Sequence, residues 1–124
     1  MSCTLKGKRI LVIEDEYFIA MDIKRTLNDV GVDIVGPLSN IDQGLASASD
    51  DKLDAAILDL NLDGVMSFPL AERLAALGVP YLFLTGYDSW SLPHDFRAAP
   101  HVVKPFSSQQ LIAAVEGLCG ASAS

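Results

Sequence analysis

The chain has 124 residues, which at about 150 residues per domain corresponds to one domain. Half of the residues are hydrophobic, and 9 Lys and Arg against 16 Asp and Glu leave a net charge of −7, which disfavours nucleic acid and anionic membranes as direct partners. No apolar run approaches the roughly 18 residues that span a bilayer, Met1 to Lys6 lack the apolar stretch of a secretory leader, and Cys3 and Cys119 are too few for a disulfide framework or a zinc site, so a cytoplasmic protein is expected.

Ile10 to Ile13 is a continuous apolar run, the pattern of a strand buried on both faces. Ile19, Ile23, Leu27 and Val30 then recur at spacings of four, four and three, with Gly31 as a stop, which predicts an amphipathic helix. Val32 to Gly36 reads as a second, weaker strand ended by Pro37. Ser39 and Asn40 are helix-starting residues, with Gln43 three beyond Asn40, and a short helix from Ile41 to about Ser49 turns Leu45 and Ala48 inward. Ala55 to Leu58 continues into Asp59 and Leu60 as a third buried strand. Pro69 to Leu77 is predicted helical, with Leu70, Leu74 and Leu77 on one stripe and Gly78 past its end. Tyr81 to Leu84 is the fourth strand and Val102-Val103 the fifth. Between them, Gly86 to Pro100 is interrupted by Asp88, Ser89, Ser91 and Pro93, so that any fourth helix is short or irregular. Ser107 and Gln110 form a capping box for a last helix whose stripe is Leu111, Val115 and Leu118 and which Gly120 closes; residues 1–7 and 120–124 read as tails.

Strands alternating with helices imply an α/β fold of flavodoxin-like size, doubly wound around a parallel sheet with helices on both faces. In such folds the ligand crevice lies outside the carboxyl ends of the strands. Those ends carry Glu14-Asp15-Glu16, then Asp59 with Asn61 two residues on, then Thr85-Gly86, then Lys104-Pro105. The spacings of 44 residues from Asp15 to Asp59 and 45 from Asp59 to Lys104 hide the set locally; only the strand-end logic assembles it. Gathered carboxylates repel one another unless protonated or joined by a cation, and all-oxygen ligands with room for water suit Mg²⁺. Lys104 adds a positive charge and Thr85 a donor for a phosphoryl group, so the set predicts phosphoryl transfer by positioning and charge neutralisation. A carboxylate can itself be the nucleophile, and Asp59, on the central strand between the other clusters, is the candidate.

Glu14-Asp15, Asp59, Thr85-Gly86 and Lys104-Pro105-Phe106, in that order over about residues 8–118, resemble the receiver domain of bacterial two-component response regulators. The resemblance implies the strand order 2-1-3-4-5, a phosphoryl group accepted on Asp59 from a histidine kinase or histidine phosphotransfer protein, and Mg²⁺ held by Asp15, Asp59 and the Asn61 backbone carbonyl, with Glu14 assisting through water. It further implies that Thr85 hydrogen-bonds the phosphoryl group, that Lys104 pairs with it, that Gly86 leaves it accessible, and that Asn61 and Tyr87 tune its lifetime. The Lys104–Pro105 bond is cis in the family. Pro80 to Tyr87 is similar to the P-F-x-F-A-T-G-[G/Y] segment of stand-alone receivers of alphaproteobacterial stress signalling, with Tyr81 for Phe and Leu84 for Ala. One departure is His101, three residues before the lysine, where the family carries the Tyr or Phe that reports phosphorylation. A stand-alone receiver is a phosphoacceptor rather than an enzyme, with intrinsic Mg²⁺-dependent self-phosphorylation and autodephosphorylation. Its output is then docking to a downstream protein partner, with 86–100 as the switching segment, or service as a phosphate shuttle or sink.

Each residue also has a plainer reading. Glu14-Asp15-Glu16 suits an acidic turn at a helix N-terminus, Lys104 a solvated lysine and Thr85 a β-branched strand residue. Asp59 to Gly64 matches the first half of a calcium loop, D-x-N-x-D-G, but the twelfth position is Leu70 rather than an acid. His94 is structural or solvent-facing, Cys119 ends a helix, and Trp90 is a partner anchor or local packing. Two alternative functions use the same residues: an α/β phosphohydrolase with an Asp nucleophile, disfavoured because strand one lacks D-x-D, and an unphosphorylated pseudo-receiver acting as a binding module. A nucleotide or flavin site is disfavoured because no phosphate loop follows strand one.

Overall fold

Residues of opposite parity along the strands feed two separate cores. Ile10, Val12, Ala55, Ile57, Leu82 and Leu84 pack on one face with Ile23, Leu27, Leu111, Val115 and Leu118. Leu11, Ile13, Ala56, Leu58 and Phe83 pack on the other with Ala48, Leu70, Ala71 and Leu74. Strands buried on both faces read as unbroken apolar runs, which is why their sequence shows no alternation. The structure, a computed structural model, describes residues 5–50, 52–62, 64–86, 100–104 and 106–123, with the backbone alone at 49, 50, 61 and 120–123.

The elements are β1 (Arg9–Ile13), α1 (Tyr17–Asp29), β2 (Asp33–Leu38), α2 (Ile41–Asp50), β3 (Ala55–Asp59), β4 (Asn61–Leu62), β5 (Val65–Met66), α3 (Phe68–Ala76), β6 (Tyr81–Thr85), β7 (His101–Val103) and α4 (Ser108–Ala123). Five strands form one sheet in the order β2-β1-β3-β6-β7, and every pairing in it is parallel. With the small β4-β5 hairpin set aside, this is the expected 2-1-3-4-5 arrangement. α1 and α4 cover one face and α2 and α3 the other, so the fold is doubly wound as expected. The parallel strands bring the carboxyl ends of β1, β3, β6 and β7 to a single edge.

Capping follows the sequence. The Ser107 amide donates to Gln110 Oε1 at 2.8 Å and the Gln110 amide to Ser107 Oγ at 3.1 Å, a reciprocal box at the start of α4. At α2 the Gln43 amide donates to Asn40 Oδ1 at 2.9 Å, while Gln43 Oε1 accepts from the Ser39 amide instead of closing the box on Asn40. Gly31 turns the chain out of α1 with a φ of 84°.

Four boundaries differ from the sequence reading. Pro37 does not end β2, which runs on to Leu38; β2 lies at the edge of the sheet, where a residue without an N–H is tolerated. Leu77 is 45% exposed rather than on the inward stripe, because α3 ends at Ala76 and the chain turns at Leu77 and Gly78 (φ 76°). α4 continues through Gly120 to Ala123: one glycine costs only about 1 kcal/mol in a helix and alanines follow it. Leu5 is no tail residue, since it is 4% exposed and packs in the first core. Residues 87–99, where the short or irregular helix is expected, lie outside the described residues, as do Tyr87, Trp90 and His94.

Candidate functional site

Two strands place the acidic groups. β1 delivers Glu14 and Asp15 directly past Ile13, and the Glu14 amide is tied to the Leu38 carbonyl at 2.9 Å. β3 ends on Asp59, which is paired in register with Leu84 of β6. One carboxylate oxygen from each of Glu14, Asp15 and Asp59 lies within 4.8 Å of the others, a group able to hold a metal ion. Asp15 is exposed, but Glu14 is 2% and Asp59 5% exposed. Folding therefore confines two carboxylates out of water beside a third, an arrangement that is costly without positive charge.

β7 supplies that charge. Lys104 follows Val103, and its amide donates to the Thr85 carbonyl at 2.7 Å, which continues the β6–β7 ladder one residue further. Its Nζ lies 3.0 Å from Glu14 Oε2 and 3.4 Å from Asp59 Oδ2. Burial works against the ammonium, but the hydrogen bond to Glu14 and the charges of Asp59 and Glu14 outweigh it and hold its pKa above the ordinary lysine value. Glu14 is pushed up to about 7 from 4.5 by burial first, then by hydrogen bonding and repulsion from Asp59, against the opposing pull of the Glu16 amide and Lys104. Glu14 Oε1 also accepts from the Glu16 amide at 3.1 Å, so Glu14, not Glu16, satisfies a donor at the start of α1.

Thr85 ends β6 and is 2% exposed; its Oγ1 is buried and makes no hydrogen bond among the described residues. A buried hydroxyl without a partner costs about 1–3 kcal/mol, which a ligand oxygen would recover. Gly86 is exposed, and a Cβ built on it meets nothing within 4 Å, so its position leaves open space. The donor set fits a hard divalent cation: all ligand atoms are oxygens, and two of the three acids are withdrawn from water.

Other expected positions fall differently. Asn61 sits in β4, two residues past Asp59. His101 is exposed at the start of β7, where it lines an open cleft of about 410 Å³ with Val103, Gln110 and Ala114. Tyr87 and Pro105, and with Pro105 the cis bond, lie outside the described residues. Sequence reasoning missed the β4-β5 hairpin and the exposed Tyr17 and Phe18 at the start of α1, whose rings meet edge to face at 5.5 Å. The signal for the hairpin was present as Asp63-Gly64 between apolar residues.

Residues 10–116 match the response regulator receiver domain. The chain belongs to this family. As a receiver domain it is 31% identical over 113 residues to the transcriptional regulatory protein PdtaR of Mycobacterium tuberculosis, a match covering 88% of this chain and 55% of PdtaR. The chain spans about half the length of the curated relatives it matches. Among solved receivers, SdrG from Sphingomonas melonis Fr1 aligns with a TM-score of 0.76 at 36% identity, covering 90% of this chain and 96% of that one. The BeF3-activated conformation of SdrG, from Pseudomonas melonis Fr1, aligns with a TM-score of 0.79 at 37% identity, covering 96% and 99%. Phosphorylation on an aspartate and Mg²⁺ binding in an acidic pocket are consistent with this family, and Glu14, Asp15 and Asp59 form an acidic cluster of that kind. Among the described residues, no helix is long and apolar enough to cross a membrane.

Proposed function

We propose that this receiver is a single-domain response regulator of a cytoplasmic phosphorelay that accepts a phosphoryl group on Asp59. The observation that carries the proposal is the convergence of Glu14, Asp15 and Asp59 within 4.8 Å, with Lys104 bridging two of them. The match to SdrG at 37% identity over 96% of this chain supports the reading of a phosphoacceptor receiver.

The donor is the phosphohistidine of a histidine kinase or phosphotransfer protein. A carboxylate oxygen of Asp59 attacks phosphorus, an O–P bond forms, and the P–N bond breaks with its electron pair leaving on the imidazole. Asp15, Asp59 and the Asn61 carbonyl would hold Mg²⁺, with Glu14 assisting through water. When bound, the ion neutralises charge on the phosphoryl oxygens and on the acids. Lys104 shifts from its Asp59 contact to a phosphoryl oxygen, and Thr85 donates its unpartnered hydroxyl to another. Gly86 leaves the entry side open, and Asn61 and Tyr87 tune loss of the phosphate. His101, exposed on β7, stands where the family carries its Tyr or Phe reporter, so any switch at that position acts through an imidazole instead.

The output is protein contact, or transfer of the phosphate onward. Tyr17 and Phe18, 69% and 82% exposed directly past the acidic turn of Glu14 to Glu16, give a protein partner an apolar foothold. The test is intact mass after incubation with acetyl phosphate and Mg²⁺. One phosphoryl adduct is expected on the wild type and none on Asp59→Asn or without Mg²⁺; equal labelling of both proteins overturns the assignment.

A further inference from the structure

The segment after Asp59 is a closed hairpin rather than an open loop. The Leu60 amide donates to the Leu84 carbonyl at 3.0 Å, one residue beyond the end of β3. The Leu60 carbonyl then accepts twice from Ser67, from its amide at 3.0 Å and its Oγ at 3.4 Å. Between these residues Asn61 pairs with Met66 and Leu62 with Val65, antiparallel, and Gly64 turns the tip with a φ of 88°. Leu60 and Leu62 are both buried in the second core, while Val65 and Met66 are exposed. Ser67 is fully buried at 0% exposure although polar.

A buried hydroxyl at the base of a hairpin that begins one residue after a reactive carboxylate is well placed to govern that carboxylate's geometry. We propose that Ser67 is a positioning residue for the Asp59 site: by giving its amide and its hydroxyl to the Leu60 carbonyl, it closes the 61–66 hairpin and holds Asp59 and the Asn61 peptide in one fixed relation. The two carry ligands only two residues apart, so their spacing depends on the backbone of Leu60, and Ser67 is what fixes that backbone from the far side. The D-x-N-x-D-G pattern thereby acquires a role unrelated to calcium: its glycine, Gly64, turns the tip of the hairpin and lets Ser67 return to Leu60. This inference rests on the reading of Asp59 as the phosphoacceptor.

Two ends of the hairpin allow two independent perturbations. Ser67→Ala keeps the amide bond and removes the hydroxyl. Gly64→Ala strains the tip, since an L side chain disfavours that φ although the space around it is open, whereas Gly64→Asn tolerates it. Calorimetric titration of the full chain with Mg²⁺ gives the affinity directly, and labelling by acetyl phosphate at limiting Mg²⁺ follows the chemistry. The Mg²⁺ Kd is expected to rise about tenfold in Ser67→Ala and Gly64→Ala, labelling to slow in step, and Gly64→Asn to stay near wild type. A Ser67→Ala protein that loses thermal stability but binds Mg²⁺ within twofold of wild type overturns the proposal, because its hydroxyl is then only structural. A wild type that binds Mg²⁺ but is never labelled on Asp59 overturns the phosphoacceptor reading instead and leaves the titration to judge the hairpin.

Discussion

Ala55 to Leu58 of β3 are apolar and completely buried, and one residue further Asp59 is almost as buried but carries a carboxyl group. The interior of the sheet and its carboxyl edge are therefore built from the same strands under opposite rules. Inside, each side chain fills one of two apolar cores and the strand ladders satisfy the backbone. At the edge, Glu14, Asp59 and Thr85 are polar groups withdrawn from water; Lys104 pairs with the two acids, and Thr85 Oγ1 has no partner among the described residues. Stability is concentrated in the faces, and the edge spends a little of it to hold reactive groups in place.

The contrast can be tested by perturbing each side. The largest effect is expected inside: Phe83→Ala empties a fully buried position that meets Phe68 and Tyr81 edge to face, and should lower unfolding free energy by about 3–5 kcal/mol in denaturant melts. A loss below 1 kcal/mol would mean that the core is not organised around this ring. At the edge the effect should depend on pH. In metal-free protein Glu14, raised to about 7 from 4.5, binds its proton more tightly folded than unfolded. Its contribution is then fully present below pH 4.5 and lost as pH rises to about 7, so stability should fall across that window by at most about 3 kcal/mol. Glu14→Gln should flatten the slope, and a mutant with the same slope as wild type would place the titration elsewhere. The smallest change belongs to the surface: Asp22 pairs with Arg25 on the exposed side of α1, and Asp22→Ala should move stability by no more than about 0.5 kcal/mol.

Legibility in the sequence follows the same division. The interior could be read because burial on two faces leaves unbroken runs such as Ile10–Ile13 and Ala55–Leu58, and because helices repeat every three or four residues at Ile23 and Leu27 or Leu111, Val115 and Leu118. Glu14, Asp15, Asp59, Thr85 and Lys104 could be read as one edge because parallel strands bring like ends together. What stayed hidden depends on contacts between distant segments. The burial of Glu14 needs Lys104, 90 residues away, and the hairpin needs Ser67 to meet Leu60, while the same six residues from Asp59 also match half a calcium loop. Pro37 and Gly120 carry stop signals that tertiary placement overrides, one at a sheet edge and one in a helix continued by alanines.

The passage of β2 through Pro37 bears on how the molecule behaves in a crowd. β2 is a lateral edge of the sheet, and an exposed edge is a template on which another chain can add a strand. Proline removes one donor from that template, and the β1–β2 register shifts between Leu11 and Ile13, breaking the regular ladder opposite it. Self-association by edge-to-edge growth is thereby discouraged on a flank remote from Lys104. The acidic edge and the flank thus differ in what they offer a neighbouring chain: one gathers charge, and the other is a broken template for strand addition.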